Sequence, residues 1–113
     1  MKTINVEALM AVQQNQRDQV IKNYRGESAF ALACVALEHD CGSAYAAASL
    51  LLAMENGKQF DFKCLFQLDI ENRAHADLVM LGYKPHQQWP SIWMNELGYP
   101  GTNIMNTLRL KWE

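Results

Sequence analysis

Apolar residues recur at three- and four-residue spacings through much of this chain, but residues 43–56, SAYAAASLLLAMEN, are apolar on every side of a helical wheel. A surface helix keeps a polar face, so a helix of this kind belongs in the interior. Residues 27–40, ESAFALACVALEHD, have a similar character, and only Cys41 and Gly42 separate the two. Together they predict a buried helical hairpin around which the remaining chain is organised.

Ahead of the hairpin, residues 6–24 place Val6, Leu9, Met10, Val20, Ile21 and Tyr24 at helical spacing, with the wholly polar run QQNQRDQ (13–19) between the two clusters. The expected element is an amphipathic helix that docks at both ends and leaves its middle turns in solvent. Arg25-Gly26 reads as its stop, with Gly26 suited to a left-handed cap. Glu27 and Ser28 are then placed to open the second helix by dipole or capping interactions. Its inward positions are expected at Phe30, Cys34, Leu37 and Val35, and alanines at 29, 31, 33 and 36 let helix axes approach closely. After Asp40, Gly42 permits the turn, Ser43 is placed to cap the central helix, and Asn56-Gly57 ends it.

Beyond Gly57, Asp61 is placed to cap a short helix carrying Phe62, Leu65, Phe66 and Leu68; the mixed pattern also fits an extended segment, and helix is preferred. Asp69 and Asn72 begin another, over residues 70–81, in which Ile70, Ala74, Leu78 and Leu81 fall on one face and Arg73 and Asp77 lie elsewhere. The segments Leu81-Gly82-Tyr83-Lys84-Pro85 and Leu97-Gly98-Tyr99-Pro100 echo each other as helix ends with glycine in the left-handed position. Trp89-Pro90-Ser91 starts a short helix between them. The final run, residues 102–112, gives Ile104, Met105, Leu108 and Trp112 at helical spacing. Its end, LRLKW, also alternates as a strand would, but a single strand would find no partner here, and helix is preferred. The expected fold is all-α, a single compact domain over residues 1–113 with five or six helices around the helix at 43–56.

Composition supports one folded core: half of the 113 residues are hydrophobic and 19% are charged. The formal charge is −2, and the ten basic residues are scattered from Lys2 to Lys111, with no basic stripe of the kind a duplex-binding surface shows. Nucleic acid is the alternative partner class, through convergence of Arg17, Lys22, Arg25, Arg109 and Lys111. The longest uncharged apolar run is well short of the roughly 20 residues needed to span a bilayer. Three cysteines, Cys34, Cys41 and Cys64, without a secretory signature read as reduced thiols in a cytoplasm.

Candidate chemistry is sparse. Glu71 and His75 stand four apart on one predicted helix, and with His39, Asp40 or Cys41 from the hairpin turn they could supply a mixed metal site. No CxxC, HExxH or paired ExxH supports it, so the preferred reading is a surface pair without a ligand. His39 and Cys41 are the close Cys/His pair, but two residues across a turn do not aim a thiolate at a base. No catalytic residue, cofactor or metal is expected. The aromatic residues Tyr83, Trp89, Trp93, Tyr99 and Trp112 gather in the last 31 residues. Core closure is their ordinary role, and Trp89 and Trp93 are expected to be the exposed members.

The run Asp40-Cys41-Gly42-Ser43-Ala44, the Leu-Leu-Ala of the central helix, Asn56, Phe60-Asp61, Leu65 and Asp69 together resemble a group of small proteins carried on proteobacterial plasmids, phages and integrative elements. The likeness covers roughly residues 30–80. It departs from the group at Cys41, where a small hydroxyl residue is usual, and at Met54-Glu55 and Phe66, where tryptophan is common. The resemblance implies a helical fold and a mobile-element, cytoplasmic setting, and it implies no activity. It draws attention to Asp40, Gly42, Asn56 and Asp61 as turn and capping residues, beside the cap already expected at Ser43. The expected function is a non-enzymatic protein-interaction module, a mobile-element-encoded modulator of a host system. Its contact surface is expected at Tyr83, Trp89, Trp93 and Tyr99 together with Gln13, Gln14 and Arg17. Should two chains associate, a self-complementary dimer is the default geometry.

Overall fold

The computed structural model of the chain describes residues 6–83 and 89–113, apart from the side chains of residues 6, 9, 11–18, 20, 22 and 23. Among the described residues every regular element is helical: α1 (Val6–Glu38), α2 (Gly42–Asn56), a 3-10 helix (Phe62–Gln67), α3 (Ile70–Gly82), α4 (Pro90–Glu96) and α5 (Gly101–Trp112). The all-α architecture around a central helix is therefore observed, and residues 102–112 are helix.

α2 occupies the middle. Ala44, Ala46, Ala47, Ala48, Leu50, Leu51, Leu52, Ala53 and Met54 are all buried, and α1, α3, α4, α5 and the 3-10 helix all pack on α2. Its C-terminus is the expected one, with Gly57 in the left-handed conformation at φ 69° and its N–H bonded to the Ala53 carbonyl. Its N-terminus differs from expectation. The helix starts at Gly42 with Cys41 at the cap position and no side-chain cap, and the Ser43 hydroxyl donates instead to the Gln67 carbonyl at 2.7 Å. That bond ties the 3-10 helix to α2. Asp40 does not cap α2 either; its carboxylate pairs with Lys111 Nζ at 3.0 Å.

The largest departure is at Gly26. Residues 6–24 and 27–40 are expected as separate helices, but α1 runs through Gly26 without a break. The reason is steric. A Cβ at Gly26 would lie 2.7 Å from Leu97 Cδ1 and 2.8 Å from the Trp93 carbonyl oxygen, so this glycine is the point where α4 crosses α1. Glu27 and Ser28 accordingly lie inside the helix; Ser28 is buried and Glu27 accepts a hydrogen bond from the Tyr99 hydroxyl at 3.0 Å. The buried line of α1 is Ala29, Leu32, Ala33 and Ala36, with Phe30, Cys34, Val35 and Leu37 half-buried on its flanks. Three of these four buried residues are alanine and Leu32 is the large one, while the bulkier neighbours stay half-buried.

The glycine echo also divides. Gly98 takes φ 89° after α4, as a left-handed turn residue. Gly82 remains helical and buried, with space for a Cβ closed by Arg25 and Ile21 at 3.1–3.2 Å. Lys84 and Pro85 lie outside the described residues.

Local capping accounts for the other boundaries. Asp61 accepts from the Lys63 N–H and Asp69 from the Asn72 N–H, opening the 3-10 helix and α3 as their sequence positions predict. Pro90 is the first residue of α4, where its missing N–H costs nothing. Here the cap comes from another helix: Glu55 of α2 accepts from both the N–H and the hydroxyl of Ser91. Asn95 does the same for α5, accepting from the Gly101 N–H at 2.8 Å.

α3 runs antiparallel along α1, since Gly82 meets Ile21 and Arg25 while His75 meets Ser28 further on. A helix of 33 residues is about 50 Å long, so α1 continues for some 15 residues beyond this contact. The molecule measures 61 × 29 × 22 Å as a result, with a radius of gyration of 15.9 Å. A compact chain of this length would have about 13 Å.

Candidate interaction surface

The residues expected at a site do not assemble into one. Trp93 is 1% exposed, its ring under the Arg25 guanidinium at 4.8 Å and its indole N–H without a hydrogen-bond partner among the described residues. It is a core residue, because α4 is pinned by the Gly26 crossing with this side chain turned inward. Trp89 is 49% exposed at the N-terminus of α4. Tyr83 is half-buried against the core. Tyr99 stacks on Phe30 at 3.8 Å with the rings 3° from parallel, and its hydroxyl is held by Glu27. That hydrogen bond, followed by burial and the negative charge of Glu27, raises the phenol pKa above its ordinary value. Trp89 alone of the described members remains as an exposed aromatic of the expected surface. The side chains of Gln13, Gln14 and Arg17 lie outside the described residues.

The polar candidates also separate. His75 is turned inward and hydrogen-bonds Ser28, Nδ1 to Oγ at 3.1 Å. Ser28 precedes His39 by eleven residues, about 16 Å along α1, so His75 lies some three helical turns from the His39/Cys41 turn. Glu71 points to solvent. Among the described residues no group of three or more His, Cys, Asp or Glu could hold a metal ion. Cys41 is exposed, whereas burial and then the neighbouring acids Glu38 and Asp61 raise the thiol pKa values of Cys34 and Cys64 respectively.

What the structure does bring together is apolar. The 3-10 helix is held on α2 by buried Cys64 and Leu65, which leaves Phe62 and Phe66 facing outward. α3 then buries Ala76, Val79 and Gly82 against α1, and the face carrying Ile70, Ala74 and Leu81 is exposed, with Leu78 at its margin. The predicted grouping of these four on one face holds, but that face points away from the core. Phe66 and Ile70 are 84% and 92% exposed. They line a shared groove of about 430 Å³ with Leu65, Leu68, Ala74 and the charged residues Asp69, Arg73 and Asp77.

Charge borders this groove on one side. Arg73 Nε donates to Asp77 Oδ1 at 3.0 Å, and both residues stay substantially solvent-accessible. On a helix of 3.6 residues per turn Asp77 and Arg73 sit immediately beside Ile70 and Leu81, so the ion pair edges the apolar stripe rather than opposing it. The sequence leaves this face ambiguous, because a run such as FKCLFQLDI satisfies helical spacing on several sides at once. The available signal was density: Phe62, Leu65, Phe66, Leu68 and Ile70 are more large apolar groups than one side of two short helices can bury.

Comparison with family models, curated proteins and solved structures gives no match for this chain. Among the described residues no helix is long and apolar enough to cross a membrane.

Proposed function

We propose that this chain is a non-enzymatic protein-interaction module, a mobile-element-encoded modulator of a host system, whose contact surface is the groove between the 3-10 helix and the outer face of α3. The observation that carries the reading is the adjacency of Phe66 and Ile70, both almost fully exposed on one groove. Scattered apolar residues on a surface are ordinary, whereas large ones gathered in a groove with a charged edge are characteristic of protein contact sites.

Nucleic acid is a weaker alternative. The Arg25 guanidinium covers Trp93, and the Lys111 ammonium is bound to main-chain carbonyls of α1. Neither is placed to neutralise a phosphate, and the groove carries two acidic residues, Asp69 and Asp77, against one basic residue, Arg73.

The test is capture by the full chain of protein from a host lysate, or of a differently tagged second copy of the chain added to it, compared with a Phe66→Ser, Ile70→Asp double variant. A Leu110→Asp variant, altered at an exposed apolar residue of α5, serves as the control. Capture by the wild type and the control, lost in the double variant, is the expected result. Equal capture by all three overturns the assignment of this surface.

A further inference from the structure

We infer that the occupant of the α3 groove is a second copy of this chain, docked antiparallel across a two-fold axis near residue 75. This rests on reading the groove as an interaction surface, and it adds the identity of the partner.

The argument is one of self-complementarity. A two-fold contact brings residue i opposite j and j opposite i. With the axis at the middle of α3, Ile70 of one copy lies across from Leu81 of the other, and Ala74 across from Leu78. Arg73 then faces Asp77, and Asp77 faces Arg73. The apolar pairs and the charged pair share nearly the same midpoint, so one two-fold axis satisfies both. Ala74 sits close to the axis, where a small side chain lets two helices approach closely. Glu71, on the opposite flank of the stripe, has no acidic residue across from it under the same pairing. Like charges are therefore not brought together, and Arg73 and Asp77 from the two copies form a four-member alternating network.

Within one chain Arg73 and Asp77 already pair, so a charge change acts within a copy as well as between copies. Mixing single reversals separates the two effects. In an Arg73→Glu dimer the facing groups are both acidic, and in an Asp77→Arg dimer both are basic. A mixed dimer of these two variants restores opposite charge across the interface on both sides, while the pairing within each chain remains broken.

The experiment is sedimentation of the full chain over a concentration series, with far-UV circular dichroism confirming that each variant is folded. The wild type is expected to reach twice the 12.9 kDa chain mass. Ile70→Asp and each single reversal should weaken association by roughly tenfold or more, the scale of one hot-spot contact. An equimolar mixture of Arg73→Glu and Asp77→Arg should recover the dimer. A monomeric wild type overturns the inference, as does a dimer indifferent to Ile70→Asp or a mixture that fails to associate. If the wild type is monomeric yet captures a lysate protein through Phe66 and Ile70, the second copy is rejected while the interaction surface stands.

Discussion

The carbonyl oxygen of Trp93 approaches to within 2.8 Å of the place where a Cβ on Gly26 would be. This contact sets the depth at which α4 lies on α1, and with it the burial of the Trp93 ring under Arg25. Two effects oppose each other on substitution by alanine. Helix propensity favours alanine by about 1 kcal/mol. Overpacking against a main-chain oxygen, which cannot rotate aside, costs about 1–3 kcal/mol. We expect overpacking to win, so that Gly26→Ala lowers the melting temperature. Gly101→Ala should lower it further, because its Cβ would meet the Ser91 carbonyl oxygen at 2.2 Å. Gly42→Ala, with the nearest atom at 3.6 Å and no positive φ, should stabilise by about 0.5 kcal/mol. Three thermal melts check the series, and a stabilised Gly26→Ala would refute the crossing.

Lys111 reaches from α5 to the end of α1. Its ammonium donates to the carbonyls of Ala36, Leu37 and His39 at 2.8–3.1 Å and also pairs with Asp40, while the Trp112 indole N–H donates to Ala36. These carbonyls are the unsatisfied acceptors of a helix C-terminus, where a cation is also favoured by the dipole. Lys111→Met should cost about 1–2 kcal/mol. Asp40→Asn should cost less than about 0.5 kcal/mol, because that carboxylate is 89% exposed and its pairing is screened by solvent. Chemical denaturation of both variants decides between a helix cap and an ion pair. Equal losses would favour the ion pair.

Trp93 and Trp89 stand four residues apart on either side of the start of α4, and their environments are opposite. Trp93→Ala removes a fully buried indole and should cost about 3–5 kcal/mol, a large share of the stability of a small domain. Trp89→Ala, at a half-exposed position, should cost less than about 1 kcal/mol. Denaturant midpoints for the two variants are the measurement, and comparable losses would contradict the inward orientation of Trp93.

The Tyr99 phenol donates to Glu27, which raises its pKa, and the sign of the pH dependence follows. A group with a folded pKa above its unfolded value contributes its stability in full below the unfolded value and loses it as pH rises through the folded value. The Tyr99–Glu27 contribution is therefore complete at neutral pH and disappears in the alkaline range, from the ordinary tyrosine value of 10.0 upward. Phenolate absorbance during a pH titration should show a late transition that Tyr99→Phe removes. Glu27→Gln should bring that transition down. An unchanged late transition in Glu27→Gln would show that the hydrogen bond is not its cause.

The amino-acid sequence by itself determined the features that depend on neighbouring residues. The all-round apolar character of residues 43–56 made α2 central, Asp61 and Asp69 opened the helices that follow them, and Gly57 and Gly98 took left-handed turns. Tertiary structure decided what depends on contacts distant along the chain. A glycine serves a left-handed turn or a close crossing with the same absence of Cβ, so Gly26 and Gly82 read as stops until α4 and Arg25 were seen against them. Ser28 reads as a helix-start residue until His75 is placed beside it, and the Ser43 hydroxyl finds Gln67 rather than its own helix. Periodicity groups Ile70, Ala74, Leu78 and Leu81 on one side of α3 but carries no information about where that side points. The direction was set by Ala76, Val79 and Gly82, whose smaller groups allow α3 to lie close along α1 and leave the bulkier stripe to solvent.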